Sequence, residues 1–159
     1  MAALEPGDPF PPIALSDERG KPIDAPASET VYAIFKTTCP TCEFTWPFLD
    51  RIRRAFPSGL RILAVSQDDP GKTAAFNKRL GVGLETAFDL DPWTASDDLG
   101  VTNVPTLLRV GPSGVVEETV VGFDRARMEG LSKRAAALAG RPATPLFRAD
   151  EHVPAIKPG

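Results

Sequence analysis

Phe35-Lys36-Thr37-Thr38-Cys39-Pro40-Thr41-Cys42 holds both cysteines of the 159-residue chain, with two residues between them. Ahead of the pair runs Val31-Tyr32-Ala33-Ile34-Phe35, a β-favouring apolar stretch that reads as a buried strand. Behind it, Phe44, Phe48, Leu49, Ile52, Ala55 and Phe56 fall at helical spacing, with Asp50, Arg51, Arg53 and Arg54 opposite. Pro47 sits inside this helix and Pro57-Ser58-Gly59 ends it. A strand that delivers a Cys-x-x-Cys to the start of a helix is a redox arrangement. As a structural disulfide the pair would close a very small loop and add little chain-entropy stabilisation. A reversible, working disulfide is the reading. Zinc usually takes four ligands; the chain offers two thiols and a single His152 far away in sequence. The motif therefore calls for no metal and no cofactor.

The two thiols are not equivalent. Cys39 stands at the helix N-terminus, where unpaired N–H groups and the helix dipole stabilise a thiolate. Pro40 suits the first helical turn, because the N–H it lacks would have no partner there. Cys42 lies one turn in and is more buried. The expectation is that Cys39 attacks a substrate disulfide and Cys42 resolves the mixed disulfide.

Working outward, Leu60–Ser66 reads as a second buried strand, and Gln67-Asp68-Asp69-Pro70 as a capped helix entry. A short helix over Thr73–Leu80 stops at Gly81. Thr86–Leu90 is a brief strand, and Asp91-Pro92 opens a short helix over Trp93–Leu99. Thr106–Val110 and Val115–Val121 form a hairpin around Gly111-Pro112-Ser113-Gly114. Asp124 caps a last helix over Arg125–Ala139, which Gly140 ends. On the N-terminal side, Pro6, Pro9, Pro11, Pro12, Pro22 and Pro26 exclude helix and central strand. There, Asp17-Glu18-Arg19-Gly20 is the turn of a small edge hairpin. Residues 1–140 form one domain. Residues 141–159, with four prolines, form an extended or partly disordered strap. Strands alternating with helices give a parallel unit, and the closing hairpin adds antiparallel strands.

A net charge of −3 gives no basic field for nucleic acid. No apolar run approaches the roughly 20 residues of a membrane span. The start, Met-Ala-Ala-Leu-Glu-Pro-Gly-Asp, lacks the basic and apolar regions of a secretory signal. The chain as it stands reads as cytoplasmic; preceded by a leader, it would be periplasmic. A monomer is expected.

These features resemble the thioredoxin fold, in particular the TlpA/ResA-like branch of thiol–disulfide oxidoreductases, related to the AhpC/TSA proteins. The resemblance spans about residues 5–135. Thr38-Cys39-Pro40-Thr41-Cys42 sits where the family has Trp-Cys-x-x-Cys. Pro47 sits where its active-site helix kinks, and Asn103-Val104-Pro105-Thr106 matches Gly-Val-Pro-Thr. Gly111–Gly114 matches its Asp-x-x-Gly turn. The resemblance implies an α/β fold: a mixed central sheet with helices on both faces, an N-terminal hairpin extension and an αβ insertion. It implies an active-site turn of Thr38, Pro40 and Thr41, and a cis bond before Pro105. Val104, Pro105 and Thr106 would then form the substrate-binding loop, with the Val104 backbone beside Cys39, pairing with an extended substrate. Thr106 itself reads as an ordinary strand residue. The implied partners are protein or small-molecule thiols and disulfides, and an upstream dithiol donor.

The chain departs from the family in three places. Thr38 replaces Trp, Ala33 stands where many thioredoxins bury Asp, and Thr45 stands where the branch often carries Glu. With Glu43 solvated, proton transfer falls to water or the partner thiol. Lys36 reads as an exposed lysine, and Trp46 and Trp93 as packing or groove residues. Arg51, Arg53 and Arg54 read as a solvated helix face. Two rival functions follow from the same motif. Cys39-Pro40-Thr41 also resembles the peroxidatic Cys-Pro-Thr of peroxiredoxins, although Lys36 and Tyr32 stand where that family places Thr or Ser and Pro. The other rival is a non-catalytic module that binds a partner or metal through the Cys pair.

Overall fold

The computed structural model describes residues 2–24 and 26–159. β1 (Thr30–Phe35) lies at the centre of a five-stranded sheet and is buried along its whole length. β2 (Arg61–Ser66) pairs parallel to it, and β3 (Glu85–Phe88) parallel to β2. On the other side β4 (Thr106–Val110) runs antiparallel to β1, and β5 (Val116–Val121) antiparallel to β4. The order is β3-β2-β1-β4-β5, the mixed sheet that the order of elements predicts. Gly114, at a φ of 83°, closes the β4–β5 turn and donates its N–H to Gly111.

Strand alternation divides β1 between two cores. Val31, Ala33 and Phe35 face one cluster, and Tyr32 and Ile34 face the other. Against the first face pack α1 (Pro40–Ala55), Phe76 of α2 (Pro70–Leu80), and α4 (Arg125–Leu138) through Met128, Leu131 and Ala135. Burial of side chains such as Leu49, Ile52 and Leu131 contributes roughly 1.5–3 kcal/mol each. Where the end of α1 meets α4 the backbones touch: a Cβ on Gly59 would fall 2.3 Å from the Ala135 carbonyl oxygen. Only glycine fits there.

The second face is covered by α3 (Thr94–Asp98) and by the proline-rich N-terminal segment. Phe10 stacks on Tyr32 with ring centroids 4.5 Å apart. The expected N-terminal hairpin forms as a short one: Ser16 faces Pro22, the Ile23 N–H donates to the Leu15 carbonyl at 3.0 Å, and the Asp17 N–H donates to the Lys21 carbonyl at 2.8 Å. The outward backbone groups of Ser16 exchange two hydrogen bonds with Phe88 and fix the hairpin to β3.

Two further expectations are corrected. α2 begins at Pro70, not Thr73, because the Asp69 carboxylate accepts from the Lys72 N–H and starts the helix. The arginine face of α1 is not simply solvated. Asp50 is 2 % exposed and draws in Arg53, Arg54 and the Gly83 N–H. Arg51 forks onto Glu151 at 2.8 and 2.9 Å and donates to the Leu146 carbonyl.

Of the two readings of residues 141–159, extended or partly disordered, the same contacts fit the extended one. Leu146 and Phe147 enter the first core, and Phe147 lies 4.9 Å from Phe48, centroid to centroid. β7 (Ile156–Lys157) then pairs antiparallel with β6 (Phe123–Asp124), the stub that leads into α4. Apolar anchors and a part-buried ion pair hold this stretch to the core, which its proline content did not reveal.

Candidate active site

Cys39 caps α1. Its Sγ accepts from the Cys42 N–H at 3.2 Å, as a Ser or Asp oxygen would at an N-cap, and Pro40 takes the first helical position. Cys39 is half-buried, whereas Cys42 is wholly buried, and both thiols are free. Burial pushes the Cys42 thiol well above its ordinary range, and its hydrogen bond with Cys39 adds to the rise. Cys42 belongs to the same apolar cluster as Ala33, Phe35 and Trp46. Phe35 and Trp46 pack at 4.5 Å between centroids. Thr45 turns its hydroxyl back to the Thr41 carbonyl at 2.7 Å and offers no free acid or base.

The approach from β1 is held by a carboxylate that sequence reasoning did not single out. Asp68 accepts both the N–H and the hydroxyl of Thr37, at 2.7 and 2.8 Å. This ties the end of β1 to the end of β2 and fixes where Cys39 enters the helix. The position of Asp68 just past a strand end was the available signal.

Across from the helix, the bond between Val104 and Pro105 is cis. The Val104 carbonyl oxygen lies 3.4 Å from Cys39 Sγ and accepts its S–H. Val104 packs against both cores, so it stands at the edge where the two faces meet. Thr106 is different: it is 1 % exposed and donates to the Asn103 carbonyl at 2.7 Å. Its hydroxyl therefore holds the loop and is not presented to the groove. Thr38 and Pro40 are exposed on the rim, while Thr41 is buried and donates to the Pro158 carbonyl at 2.6 Å.

A second wall comes from the α3 region. Lys36, Gln67, Trp93, Ser96, Val101 and Val104 line a cavity of about 180 Å³ beside Val104. Trp93 adopts a φ of 56° and donates its indole N–H to the Gln67 carbonyl at 2.9 Å. The Lys36 ammonium sits 5.8 Å from the Trp93 ring centroid. Buried Asp89 holds the start of α3 by accepting from the Ala95 and Ser96 N–H groups and the Ser96 hydroxyl. An aromatic wall thus reaches the groove from position 93, although position 38 lacks one. Trp93 is the groove residue of the two tryptophans; Trp46 is fully buried.

Tyr32 and Lys36, the positions at issue for a peroxidase, do not meet: one is in the buried core and the other lines the groove. Tyr32 faces the second core under Phe10, and Lys36 is exposed over Trp93. His152 is exposed on the C-terminal stretch. Among the described residues, no group of three His, Cys, Asp or Glu side chains is placed to hold a metal ion. No described helix is long and apolar enough to cross a membrane.

No family model matches the sequence, and no curated protein matches it either. Solved structures do match. A Chlorobium tepidum protein described as a thiol:disulfide interchange protein DsbE is similar at a TM-score of 0.70 and 25% identity. The match covers 87% of this chain and 100% of that one. A secreted Mycobacterium tuberculosis disulfide oxidoreductase homologous to Escherichia coli DsbE is similar at 0.63 and 19% identity, covering 79% and 96%. StoA from Bacillus subtilis is similar at 0.63 and 17% identity, covering 76% and 93%. The chain has the thioredoxin-like fold of these thiol:disulfide oxidoreductases, the fold of the TlpA/ResA-like branch that its sequence resembles.

Proposed function

We propose that the protein is a thiol–disulfide oxidoreductase that reduces or exchanges disulfides through Cys39 and Cys42. The observation that carries this reading is the placement of Cys39 Sγ. It receives a helix-terminal N–H, reaches the Val104 carbonyl, and lies one turn from a buried partner thiol.

The Cys39 thiolate attacks one sulfur of a substrate disulfide. The substrate S–S bond breaks, a mixed disulfide with Cys39 forms, and the first substrate thiol leaves with a proton from water. Cys42 then loses its proton to water or to the departing thiolate and attacks Cys39 Sγ. The second substrate thiol is released, and the protein is left with a Cys39–Cys42 disulfide. Two electrons have passed to the substrate, and an upstream dithiol returns them. Burial disfavours the Cys42 thiolate, which favours Cys39 as the first attacker. A substrate disulfide would reach Cys39 beside Val104, whose carbonyl faces the sulfur. The secreted setting named for the Mycobacterium tuberculosis relative supports the periplasmic of the two locations.

Insulin disulfide reduction with dithiothreitol as donor tests the activity. Cys42→Ala is expected to accumulate mixed disulfides with substrate, and Cys39→Ala to form none. Trapping by the Cys39 variant alone would reverse the roles. A glutathione redox titration of the pair sets the direction. A potential below about −250 mV marks a reductant, and one near −120 mV an oxidant.

A further inference from the structure

Residues 156–159 reach the thiol site from the far end of the chain. Pairing of β7 with β6 directs them there, and the Arg125 N–H, donating to the Ala155 carbonyl at 2.9 Å, continues that ladder. The Lys157 ammonium lies 5.2 Å from the centroid of the Phe44 ring on α1. One residue on, the Pro158 carbonyl accepts from Thr41, within the Cys-x-x-Cys itself. Gly159 then lies so close to Val104 that a Cβ on it would fall 2.4 Å from the Val104 carbonyl oxygen. That oxygen is the one Cys39 Sγ reaches at 3.4 Å. The segment therefore touches both the helix and the loop that frame the reactive sulfur.

Such a contact has a steric consequence for substrate. A strand that pairs through a backbone carbonyl needs about 4.8 Å of lateral room, and Gly159 stands inside that spacing on Val104. The groove remains open on the side of Lys36, Gln67 and Trp93.

Resting on the oxidoreductase reading above, we propose that residues 156–159 are specificity determinants. They wall the Thr41 side of Cys39 and admit disulfides that reach the sulfur from the Trp93 side. Small disulfides and disulfides in narrow exposed loops fit this opening. A disulfide embedded in a wide protein surface does not, because it would have to lie across both sides at once.

The test uses a variant lacking residues 156–159 and a full-length second variant, Lys157→Pro. The second removes a backbone donor from the β6–β7 pair while keeping the chain intact. Far-UV circular dichroism checks that each is folded, and Lys157→Pro carries the test if the deletion is not. The first readout needs no catalysis: the rate at which Cys39 of the reduced protein is alkylated by a polyethylene-glycol maleimide, relative to iodoacetamide, followed by mass spectrometry. The second is kcat/KM for insulin relative to oxidised glutathione. Both ratios are expected to rise by about tenfold in the variants, the scale of a steric discrimination. An unchanged or lower alkylation ratio overturns the wall, and a raised alkylation ratio with measurable turnover but an unchanged substrate ratio overturns its role in specificity. If no form, wild type included, turns over any disulfide while the alkylation ratio rises, the wall is supported and the oxidoreductase reading is overturned.

Discussion

The backbone nitrogen of Cys42 donates to the sulfur of Cys39 across 3.2 Å, so one thiol of the pair is solvated by the amide of the other. The relationship is one-sided. Cys39 is half-buried and borders the groove, whereas Cys42 is wholly buried in the first core, where burial disfavours its charged form. Iodoacetamide at neutral pH is expected to label Cys39 at least about tenfold faster than Cys42 in the reduced protein. Peptide mass spectrometry of a quenched time course measures the two rates. Equal labelling would mean that the asymmetry does not exist in solution.

Glu29 is a second place where charge and burial meet. It is 6 % exposed and receives two hydrogen bonds from Arg134 on α4, both at 2.8 Å, and one from Arg109 on β4 at 3.0 Å. The Arg134 bonds hold its carboxyl below the ordinary glutamate range, against the opposing effect of burial. A carboxyl lowered in the folded state adds stability that is present above its unfolded pKa, about 4.3, and lost as pH falls through the folded value. Glu29→Gln is expected to cost about 1.5–3 kcal/mol at neutral pH, since a charge-assisted bond is lost in a part-buried setting. Urea unfolding at neutral pH and again near pH 3 checks this. The deficit should shrink at the lower pH, and a constant deficit would point to packing instead of charge.

How far the sequence carried is best seen residue by residue. The apolar run from Val31 to Phe35 and the helical spacing after Cys42 placed β1 and α1 correctly, because local patterning and tertiary burial agree there. The redox pair was visible for the same reason. Residues 141–159 stay open between extended and partly disordered because their order comes from Phe147, Leu146 and Glu151 meeting partners on α1 and α4, about a hundred positions away in the case of Arg51 and Glu151. No local pattern encodes such a contact. The burial of Asp50 is hidden for a similar reason: helical spacing puts it with the arginines, and only the Gly83 N–H, arriving from the loop after α2, reveals it. Trp93 could be placed in a groove from sequence only as one option among two, because its orientation depends on the Gln67 carbonyl.

If residues 141–159 are part of the folded core, Phe147 must contribute to global stability. It is 8 % exposed and lies 4.9 Å from Phe48 and 6.1 Å from Phe123, between ring centroids. Removing its ring leaves a cavity at the junction of α1, β6 and the C-terminal stretch. Phe147→Ala is expected to cost about 3 kcal/mol in denaturant unfolding. A loss below about 0.5 kcal/mol, the range of ordinary surface substitutions, would mean that the stretch is an appendage after all.

Glu151 supplies the polar counterpart of that anchor and a pH signature of its own. Arg51 forks onto it at 2.8 and 2.9 Å, and the Arg148 N–H donates at 2.7 Å. Chiefly through Arg51, its carboxyl is held at about 2, against an ordinary value of 4.5. The sign follows as for Glu29: the contribution is whole above pH 4.5 and disappears as pH falls through about 2. Glu151→Gln should therefore lower the melting temperature at neutral pH by an amount that narrows below pH 4.5 and closes near pH 2. Because Glu151 joins α1 to the strap only a few residues before β7, the same substitution should expose residues 141–157 to proteolysis at neutral pH before the sheet is cut. Cleavage of both regions at one rate would show that the strap opens only with the whole fold, and that the ion pair does not hold it separately.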